Sequence, residues 1–500
     1  MTVEKRSFKQ SNLSMWYLFA FSAALMAPIV MAIGNAGAAV VYAGFAAPLI
    51  PIIGAVLVLF VSVPILEYAR YTKFSGGYYG LAELGFGKAV GKFVALLNYL
   101  YYFIIYVAIA TALPFGVITT IYYVTGYLMP EWTFLLMAVI ILIWGYLQTV
   151  FNVKIAAKVV LLAVVTQIVV LLIYSLYVIS KTPYNSTAAF NPANSIGGFH
   201  GLFLGAILAG FLFYLGYGTS LFFSEEGKAP FKTVWKSIVI AILVTGGIGI
   251  LAIYSEVAGI GLANSASLAS DLNPGAVVFG KYMGPVAVYI LLAVFVFAQL
   301  GTETSATMAG ARLAFSLSRD DFFSGKFGKF NGRLHPKYDT PANAATVIFI
   351  GSLVITFVEA GVIFHYFGYY NGVFDSYFLA GSMAVAIWFI HHIIPDLGMI
   401  RALPKYFKQK LSRPRNIFVA LIAPLTGTAI LIYSFYEGYS SLTEPYFGGF
   451  ITVLVLVFLS IVFVSVKARK CTLGHSFIEE SIIEQYKLSN VEERVTEGRE

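Results

Sequence analysis

A short polar run at residues 301–305, Gly-Thr-Glu-Thr-Ser, lies deep within a long apolar segment. A carboxylate at that depth in a membrane segment, such as Glu303, is typical of sites that handle protons or ions. We expect no Lys or Arg within the apolar body of any segment to neutralise it. Glu303, with the hydroxyls of Thr302 and Ser305, is therefore a candidate coupling-ion site. A structural hydrogen bond from Glu303 to a neighbouring hydroxyl is the alternative.

Gln167 is a second polar side chain placed deep in an apolar segment. An amide at that depth commonly joins two helices, a contact worth on the order of 1 kcal/mol, and it is equally suited to border a cation site. Glu256 lies near the end of another apolar segment, where we expect water to reach it. We therefore count Gln167 with the coupling-ion candidates and leave Glu256 apart from them.

The remaining reactive residues argue against an enzyme or a metal site. His391 and His392, which with Asp396 close the tenth apolar segment, are adjacent, so on a helix they point to different faces and do not bind one metal together. The single cysteine, Cys471, excludes an intramolecular disulfide and a thiolate metal site. We find no deep nucleophile and base together. The sequence predicts no catalysis, no metal and no cofactor, with H⁺ or Na⁺ as the coupling ion.

Two apolar segments carry a backbone break at mid-depth. In residues 211–230, FLFYLGYGTSLFFSEEGKAP, Gly216 and Gly218 interrupt a helix that resumes as TSLFF. Pro28, preceded by Ala27, lacks an N–H and crowds the turn before it. Backbone groups freed by a break are tolerated in a membrane only where protein covers them or where they line a watery cavity. Each break is thus a binding-site hypothesis, with close packing by glycine and a harmless proline kink as alternatives.

The elements that must position these residues are membrane-spanning helices. Among 500 residues, 59% are hydrophobic and 11% are charged, which is too few charges for a soluble protein. Apolar runs long enough to cross the bilayer predict an all-α membrane protein with twelve transmembrane helices. We place the spans at residues 15–43, 46–69, 92–124, 132–151, 155–180, 200–224, 235–262, 283–317, 342–365, 371–395, 416–438 and 447–467.

Lys and Arg residues are distributed unevenly between the two sides of this arrangement. All but two of the 32, Lys181 and Lys281, belong to the side on which the termini lie. Because positively charged loops stay in the cytoplasm, we expect both termini to be cytoplasmic in a multi-pass protein of the plasma membrane. The net charge of +8 then faces anionic lipid, and it does not indicate a nucleic-acid partner.

The two broken spans occupy equivalent positions, since span 1 and span 6 are each the first of five. This pairing is typical of an inverted five-plus-five repeat with its binding site at the breaks. We divide the chain into a cytoplasmic N-terminus, two repeats, two further spans and a cytoplasmic tail. Their bounds are residues 1–14, 15–180, 200–395, 416–467 and 468–500.

Several motifs along the chain resemble those of the amino acid/polyamine/organocation (APC) superfamily of transporters. Residues 211–236 are similar to its aromatic-rich helix with a Gly-aromatic break followed by Glu-Glu, Lys and Pro. Residues 67–87 resemble its E-x-A, SGG-x-Y and FG signature. Residues 312–321, with 335–337 and 340–344, resemble its Arg-plus-basic-acidic motif and its Pro-x-N-A entry to span 9.

The resemblance implies the APC fold, a five-plus-five inverted repeat plus two extra helices, and amino acid transport at the midplane. It places the substrate carboxylate at backbone N–H groups of residues 28–31 and the ammonium at carbonyls of residues 23–26 and 213–215. Tyr214 and Tyr217 would be aromatic lids over the side chain. The substrate-binding candidates are Ala23, Met26, Ala27, Pro28, Ile29, Val30, Met31, Phe213, Tyr214, Leu215, Gly216, Tyr217 and Gly218.

Three features depart from the family pattern. Residues 27–30, Ala-Pro-Ile-Val, replace a Gly-Ser-Gly-like turn, and Gly218 stands where relatives often carry an acidic residue. Gln167 occupies the position of a lysine that, in proton-coupled members, stands in for a sodium ion. A lysine-based proton mechanism is therefore not expected, which leaves Glu303, sodium, or uncoupled exchange.

The function that the sequence predicts is secondary active transport of amino acids or related amines by alternating access, as a symporter or an antiporter, in a monomer or a homodimer. A membrane sensor that binds an amino acid without turnover, with the tail as its output, is the alternative from another class. The transported side chain and the coupling ion stay open at this point.

Overall fold

The computed structural model describes residues 8, 11–271, 273–440, 442–474, 477, 478 and 482. Within these ranges the chain is helical, with one isolated backbone bridge between Leu13 and Gly227. Twelve helices are long and apolar enough to cross a membrane. We label them α1 (Met15–Ala46), α2 (Leu49–Tyr71), α3 (Lys88–Thr125), α4 (Glu131–Val150), α5 (Val153–Lys181), α6 (Gly198–Glu226), α7 (Pro230–Ile260), α8 (Pro285–Arg319), α9 (Ala342–Phe367), α10 (Tyr369–Lys405), α11 (Pro414–Tyr439) and α12 (Tyr446–Arg469).

The predicted all-α architecture with twelve transmembrane helices is confirmed, and the tenth helix is longer than the predicted span. We expected α10 to end at residue 395, and it continues to Lys405. The extension packs against a short helix, Tyr79–Phe86, where a Cβ added to Gly85 would overlap the backbone of Gly398. His391 and its neighbours therefore lie inside the helix instead of closing it, because the protein covers a stretch that is too polar for lipid.

The most buried transmembrane helices are α1, α3 and α6. Of the most apolar 18 residues in α1, 89% are buried, against 22% in α12. Close approach depends on small residues, as where Gly54 of α2 lies against the backbone of Gly210 in α6. The broken helix α1 is therefore covered by protein over most of its surface, whereas α12 turns most of its apolar surface outward.

The first and last described segments of the chain lie at one end of the bundle, where Phe8 packs on Phe315 and Arg319 lies over the Phe477 ring. We call this end the terminal face. The N–H of Leu13 donates to the carbonyl of Glu226 at 2.9 Å, and the N–H of Lys228 donates to the carbonyl of Leu13 at 2.8 Å. These bonds join the segment before α1 to the end of α6. The other end of the bundle is the opposite face.

The loop between α7 and α8 covers α1 at the opposite face. It contains a 3-10 helix, Leu262–Ala269, and an α-helix, Pro274–Met283. Gly275 of this loop lies against the carbonyl of Ala32, and the Asn273 amide donates to the Thr120 hydroxyl of α3 at 2.8 Å. The loop therefore connects the outer half of α1 with α3. Glu256, at the end of α7 beneath the loop, is fully buried, so our expectation that water reaches it is wrong.

Candidate functional site

The first break lies in α1 at Ala27, whose backbone is left-handed with φ of +45°. The preceding part, Met15–Met26, ends there, and Pro28 begins the next turn without an N–H to donate. A non-glycine residue in this region of φ is strained and persists only where its surroundings impose it. The chain then continues through a π-helical turn, Met31–Asn35, into Ala36–Ala43. The proline kink is therefore a true interruption of the helix.

The second break lies in α6 at Gly216, with φ of +95°. The helix before it ends in a π turn, Ala206–Gly210, and a 3-10 turn, Leu212–Tyr214. After it the chain resumes as a 3-10 helix, Tyr217–Glu226. Glycine tolerates this conformation because it has no Cβ.

The two breaks lie against each other. A Cβ added to Gly216 would come within 2.5 Å of the Leu25 side chain in α1. Towards the terminal face, the Ser22 and Ser220 hydroxyls are 2.6 Å apart, and the rings of Phe21 and Phe223 stack with centroids 3.9 Å apart. The substrate-binding candidates on α1 and α6 are thus brought together, and all of them are buried.

Side chains from α5 and α8 bind the backbone that the α1 break exposes. The N–H of Ile29 donates to Gln167 Oε1 at 3.1 Å. The Thr302 hydroxyl donates to the carbonyl of Ala24 at 2.8 Å. The other amide atom of Gln167, Nε2, is buried and has no hydrogen-bond partner among the described residues. Two of the four coupling-ion candidates therefore contact the α1 break directly.

The other two coupling-ion candidates do not reach the breaks. The Ser305 hydroxyl donates to the carbonyl of Gly301 in its own helix at 3.0 Å. Glu303 faces α3 and α4, where a Cβ added to Gly145 would lie 2.9 Å from both Glu303 Cγ and the Tyr106 hydroxyl. Neither carboxylate oxygen of Glu303 has a hydrogen-bond partner among the described residues. Neighbouring positions on a helix point about 100° apart, which separates Glu303 from Thr302.

The two tyrosines of the α6 break point to different neighbours. The Tyr214 hydroxyl donates to the carbonyl of Pro51 in α2 at 2.6 Å. The Tyr217 hydroxyl lies 3.1 Å from Nε2 of His392 in α10. Of the two expected lids, Tyr214 is held against α2, and Tyr217 connects the break to a buried polar cluster in α10.

Buried ion pairs hold the terminal face together, and we call them the ion-pair clasp. Arg319 of α8 donates to both oxygens of Glu225 at 2.8 Å. Arg312 of α8 donates to Glu226 at 2.5 Å and is itself fully buried. Our expectation that no cation lies within the body of a span is therefore wrong, because Arg312 lies inside α8 and is neutralised by the end of α6.

A third part of the clasp joins α3 to the residue that follows α8. Lys92 forms an ion pair with Asp320, and the Tyr79 hydroxyl donates to the same carboxylate at 2.8 Å. Burial, with the nearby charge of Asp320, holds the pKa of the Tyr79 hydroxyl well above its usual range, so this group acts as a neutral donor. The clasp thus links α3, α6 and α8 across the end of the bundle.

Sequence reasoning missed the serine group that supports the resumed part of α6. The N–H of Ser220 donates to Ser22 Oγ at 3.1 Å, and the Ser237 hydroxyl of α7 donates to Ser220 Oγ at 3.1 Å. The three serines lie in three different apolar segments, and a hydroxyl in such a segment indicates a hydrogen bond within the protein. Their hydrogen bonds replace backbone bonds that a 3-10 helix forms less well.

Two cavities lie outside the paired breaks. One, of about 580 Å³, is bounded by α3, α9, α10 and α12 and includes Glu359 in its lining. The other, of about 200 Å³, lies among α1, α6, α10 and α11 next to Tyr42. Both have mostly apolar walls. Among groups of His, Cys, Asp and Glu in the part of the chain that the structure describes, none is arranged to hold a metal ion.

Comparison with known proteins agrees with the fold and with the motifs. Residues 13–458 match the amino acid permease family. Over 200 residues the chain is 28% identical to the branched-chain amino acid permease BcaP of Lactococcus lactis subsp. cremoris (strain MG1363). That alignment covers 38% of this chain and 39% of the relative, so about two-fifths of the relative is matched. Because the family match covers nearly the whole length and agrees with the motif resemblance, the chain belongs to the amino acid permease family of the APC superfamily.

Proposed function

We propose that this chain is a secondary transporter that binds an amino acid between the paired breaks of α1 and α6 and moves it by alternating access. The observation that carries the proposal is the direct contact of the two breaks, with Gly216 against Leu25. Interrupted helices at the centre of a membrane protein offer N–H groups to a carboxylate and carbonyls to an ammonium. Family membership supports the same activity.

The substrate carboxylate is assigned to the α1 side of this site. The N–H of Ile29 holds Gln167 by its Oε1, and Gln167 Nε2 is a buried donor with no partner among the described residues. A buried donor without an acceptor costs about 1–3 kcal/mol, which a substrate carboxylate would relieve. This arrangement supports binding of an anionic group next to the break.

The substrate side chain is proposed to be neutral and apolar. The side chains that border the breaks include Leu25, Met26, Val30, Met31 and Phe213, all of which are buried. A charged substrate side chain among them would lose its hydration without gaining a counter-charge. The name of the Lactococcus relative, a branched-chain amino acid permease, points to the same substrate class.

Alternating access requires each face to open in turn, and contacts between helices and loops lie at both faces. The clasp covers the terminal face, and the loop between α7 and α8 covers the opposite face at Ala32. We propose that the clasp separates when the site opens to the terminal face. The distribution of Lys and Arg supports a cytoplasmic terminal face in a plasma-membrane protein.

Counterflow in proteoliposomes tests the proposal. Vesicles that contain the purified chain are preloaded with unlabelled leucine and diluted into a trace of labelled leucine. We expect transient accumulation of label, because exchange through a carrier requires passage. Preloading with lysine or glutamate should give much less accumulation, and vesicles without protein should give none.

The result that contradicts transport is binding without accumulation. If leucine raises the melting temperature of the protein and counterflow is absent, the chain binds the amino acid without turnover, and the sensor alternative is favoured. If lysine or glutamate exchanges as well as leucine, the proposed substrate class is wrong while transport stands.

A further inference from the structure

Two imidazoles, one carboxylate and three phenols form a buried cluster on the terminal side of the α6 break. His391, His392 and Asp396 belong to α10 and are fully buried. Phenol rings face the imidazoles from three other elements. They are Tyr78 from the segment before helix Tyr79–Phe86, Tyr101 from α3 and Tyr217 from α6. We call these six residues the His-Tyr cluster.

Hydrogen bonding assigns the proton of neutral His392. Its Nδ1 lies 3.2 Å from the carbonyl of Trp388, which is only an acceptor, so Nδ1 carries the hydrogen. Its Nε2 lies 3.1 Å from the Tyr217 hydroxyl and accepts the hydrogen bond from it. Both ring nitrogens of neutral His392 are thus engaged, and the acceptor nitrogen is bound to the first residue after the α6 break.

Asp396 adds a second place for a proton. Both of its carboxylate oxygens are buried with no hydrogen-bond partner among the described residues. It lies four residues after His392, on the same face of α10. A carboxylate in such surroundings either holds a proton or pairs with a cation, and His392 is a group on that face that can gain a positive charge.

Protonation of His392 would reverse its bond to α6. A second proton on the ring occupies Nε2, which then donates to the Tyr217 oxygen instead of accepting from it. The Tyr217 hydrogen must then turn to another acceptor, and Tyr78 and Asp396 both interact electrostatically with Tyr217. Tyr217 immediately follows Gly216, so this change in hydrogen bonding acts directly at the break in α6.

Tyr78 packs against the same break in α6. The Tyr78 hydroxyl occupies the space where a Cβ on Gly218 would lie, and its ring centroid is 4.5 Å from that of His392. Glu303, the acidic residue predicted from sequence, has no such connection, because it faces α3 and α4. The His-Tyr cluster therefore contacts the break in α6 directly, whereas Glu303 does not.

We propose that His392 and Asp396 form a proton-binding site that couples proton movement to the opening of α6 through Tyr217. The inference rests on the proposed transport function and deepens it by naming the coupling ion and its site. The proton binds at His392 Nε2 or at an Asp396 oxygen and is released from the same atom, with no other bond made or broken. One proton would enter with each substrate molecule as α6 changes position.

The test uses proteoliposomes that contain a pH-sensitive dye, with leucine as the substrate. In the native protein, we expect an inward proton gradient to raise leucine accumulation above the level reached without a gradient. Leucine addition without a gradient should acidify the lumen. His392→Gln keeps an acceptor for the Tyr217 hydroxyl but takes up no proton, so it should lose both the gradient stimulation and the acidification. His365→Gln, at an exposed histidine of α9, should keep both.

A second variant keeps the test informative if His392→Gln does not fold. Tyr217→Phe leaves both proton-binding groups in place and removes the hydroxyl that joins them to α6, so gradient stimulation should again be lost. The proposal is overturned if the native protein exchanges leucine without acidification, or if His392→Gln or Tyr217→Phe accumulates leucine under a gradient as the native protein does. Absence of leucine counterflow in the native protein would instead refute the transport function.

Discussion

Gln167 Oε1 in α5 accepts a hydrogen bond from the N–H of Ile29, 3.1 Å away and two residues beyond the turn that interrupts α1. Gln167 therefore satisfies backbone that the break in α1 exposes. An amide can accept from the chain and still offer Nε2 to a ligand, which an ammonium cannot do. The break in α1 is therefore stabilised by a side chain of α5.

Replacing Gln167 should destabilise the break in α1 and lower the stability of the folded protein. Gln167→Leu keeps a similar volume but leaves the Ile29 N–H without an acceptor, at a cost of about 1–3 kcal/mol. We expect a lower melting temperature in detergent and a smaller rise of that temperature on adding leucine. Gln148→Leu, at a partly buried position near the end of α4, is the control and should change neither quantity. Equal melting curves for the two variants would mean that the Ile29 bond contributes nothing.

Removing the Thr302 hydroxyl should weaken transport more than stability. Thr302→Val deletes the donor to the Ala24 carbonyl, at the site proposed for the substrate ammonium. A hydrogen bond contributes about 0.5–1.5 kcal/mol, so we expect up to about a tenfold loss in apparent leucine affinity, measured by concentration-dependent counterflow. Thr356→Val is a matched control, because that buried hydroxyl donates only within α9, to Ser352. An unchanged affinity in Thr302→Val would place the substrate elsewhere.

A side chain at Gly216 should disrupt the paired breaks. Gly216→Ala introduces a Cβ both at φ of +95° and against Leu25, so we expect loss of folded protein or a large fall in melting temperature. Gly247→Ala in α7 is the control, since no atom lies within 4 Å of its added Cβ. In a helix that substitution is neutral or stabilising by up to about 1 kcal/mol. Similar folding of the two variants would show that the α6 break is not held against α1.

Breaking one ion pair of the clasp should open the terminal face. Glu226→Gln leaves buried Arg312 without its carboxylate, which destabilises the closed form by about 3–5 kcal/mol. The single cysteine, Cys471, allows a cysteine-free background by Cys471→Ser, into which Ser224→Cys is introduced. Ser224 is buried next to the clasp and its hydroxyl has no hydrogen-bond partner among the described residues. We expect a membrane-impermeant maleimide to label this cysteine faster in the Glu226→Gln variant.

The control for the clasp is an ion pair at the same face that is partly exposed. Arg415 donates to Glu67 at 2.5 Å, but its side chain is half-exposed, and such pairs contribute about 0–1 kcal/mol. Arg415→Gln should leave the labelling rate of Ser224→Cys unchanged. Equal rates in Glu226→Gln and Arg415→Gln would show that the clasp does not control access from this face.

Some features of the site can be predicted from single residues and their neighbours in the sequence. Pro28 cannot continue a helix in the ordinary way, and Gly216 is the residue type that accepts a left-handed backbone, so each break follows from its own position. The pairing of spans 1 and 6 follows from counting apolar runs. Arg312 shows where hydropathy fails. It lies inside the span predicted at 283–317, and its burial depends on a carboxylate partner 86 residues away, which hydropathy does not reveal.

The sequence by itself determined the twelve apolar helices and the positions of the two breaks, since hydrophobicity, proline and glycine act within a few residues. The charge pattern also predicts that both termini lie on one side of the membrane. Only the tertiary structure decided which side chains meet at the breaks. Gln167 and Thr302 form hydrogen bonds with the backbone of α1, and Tyr217 forms one with His392. Glu303 faces α4 instead. In a helix that is apolar on all sides, periodicity does not show which face meets which neighbour, because that choice depends on packing between residues far apart in the chain.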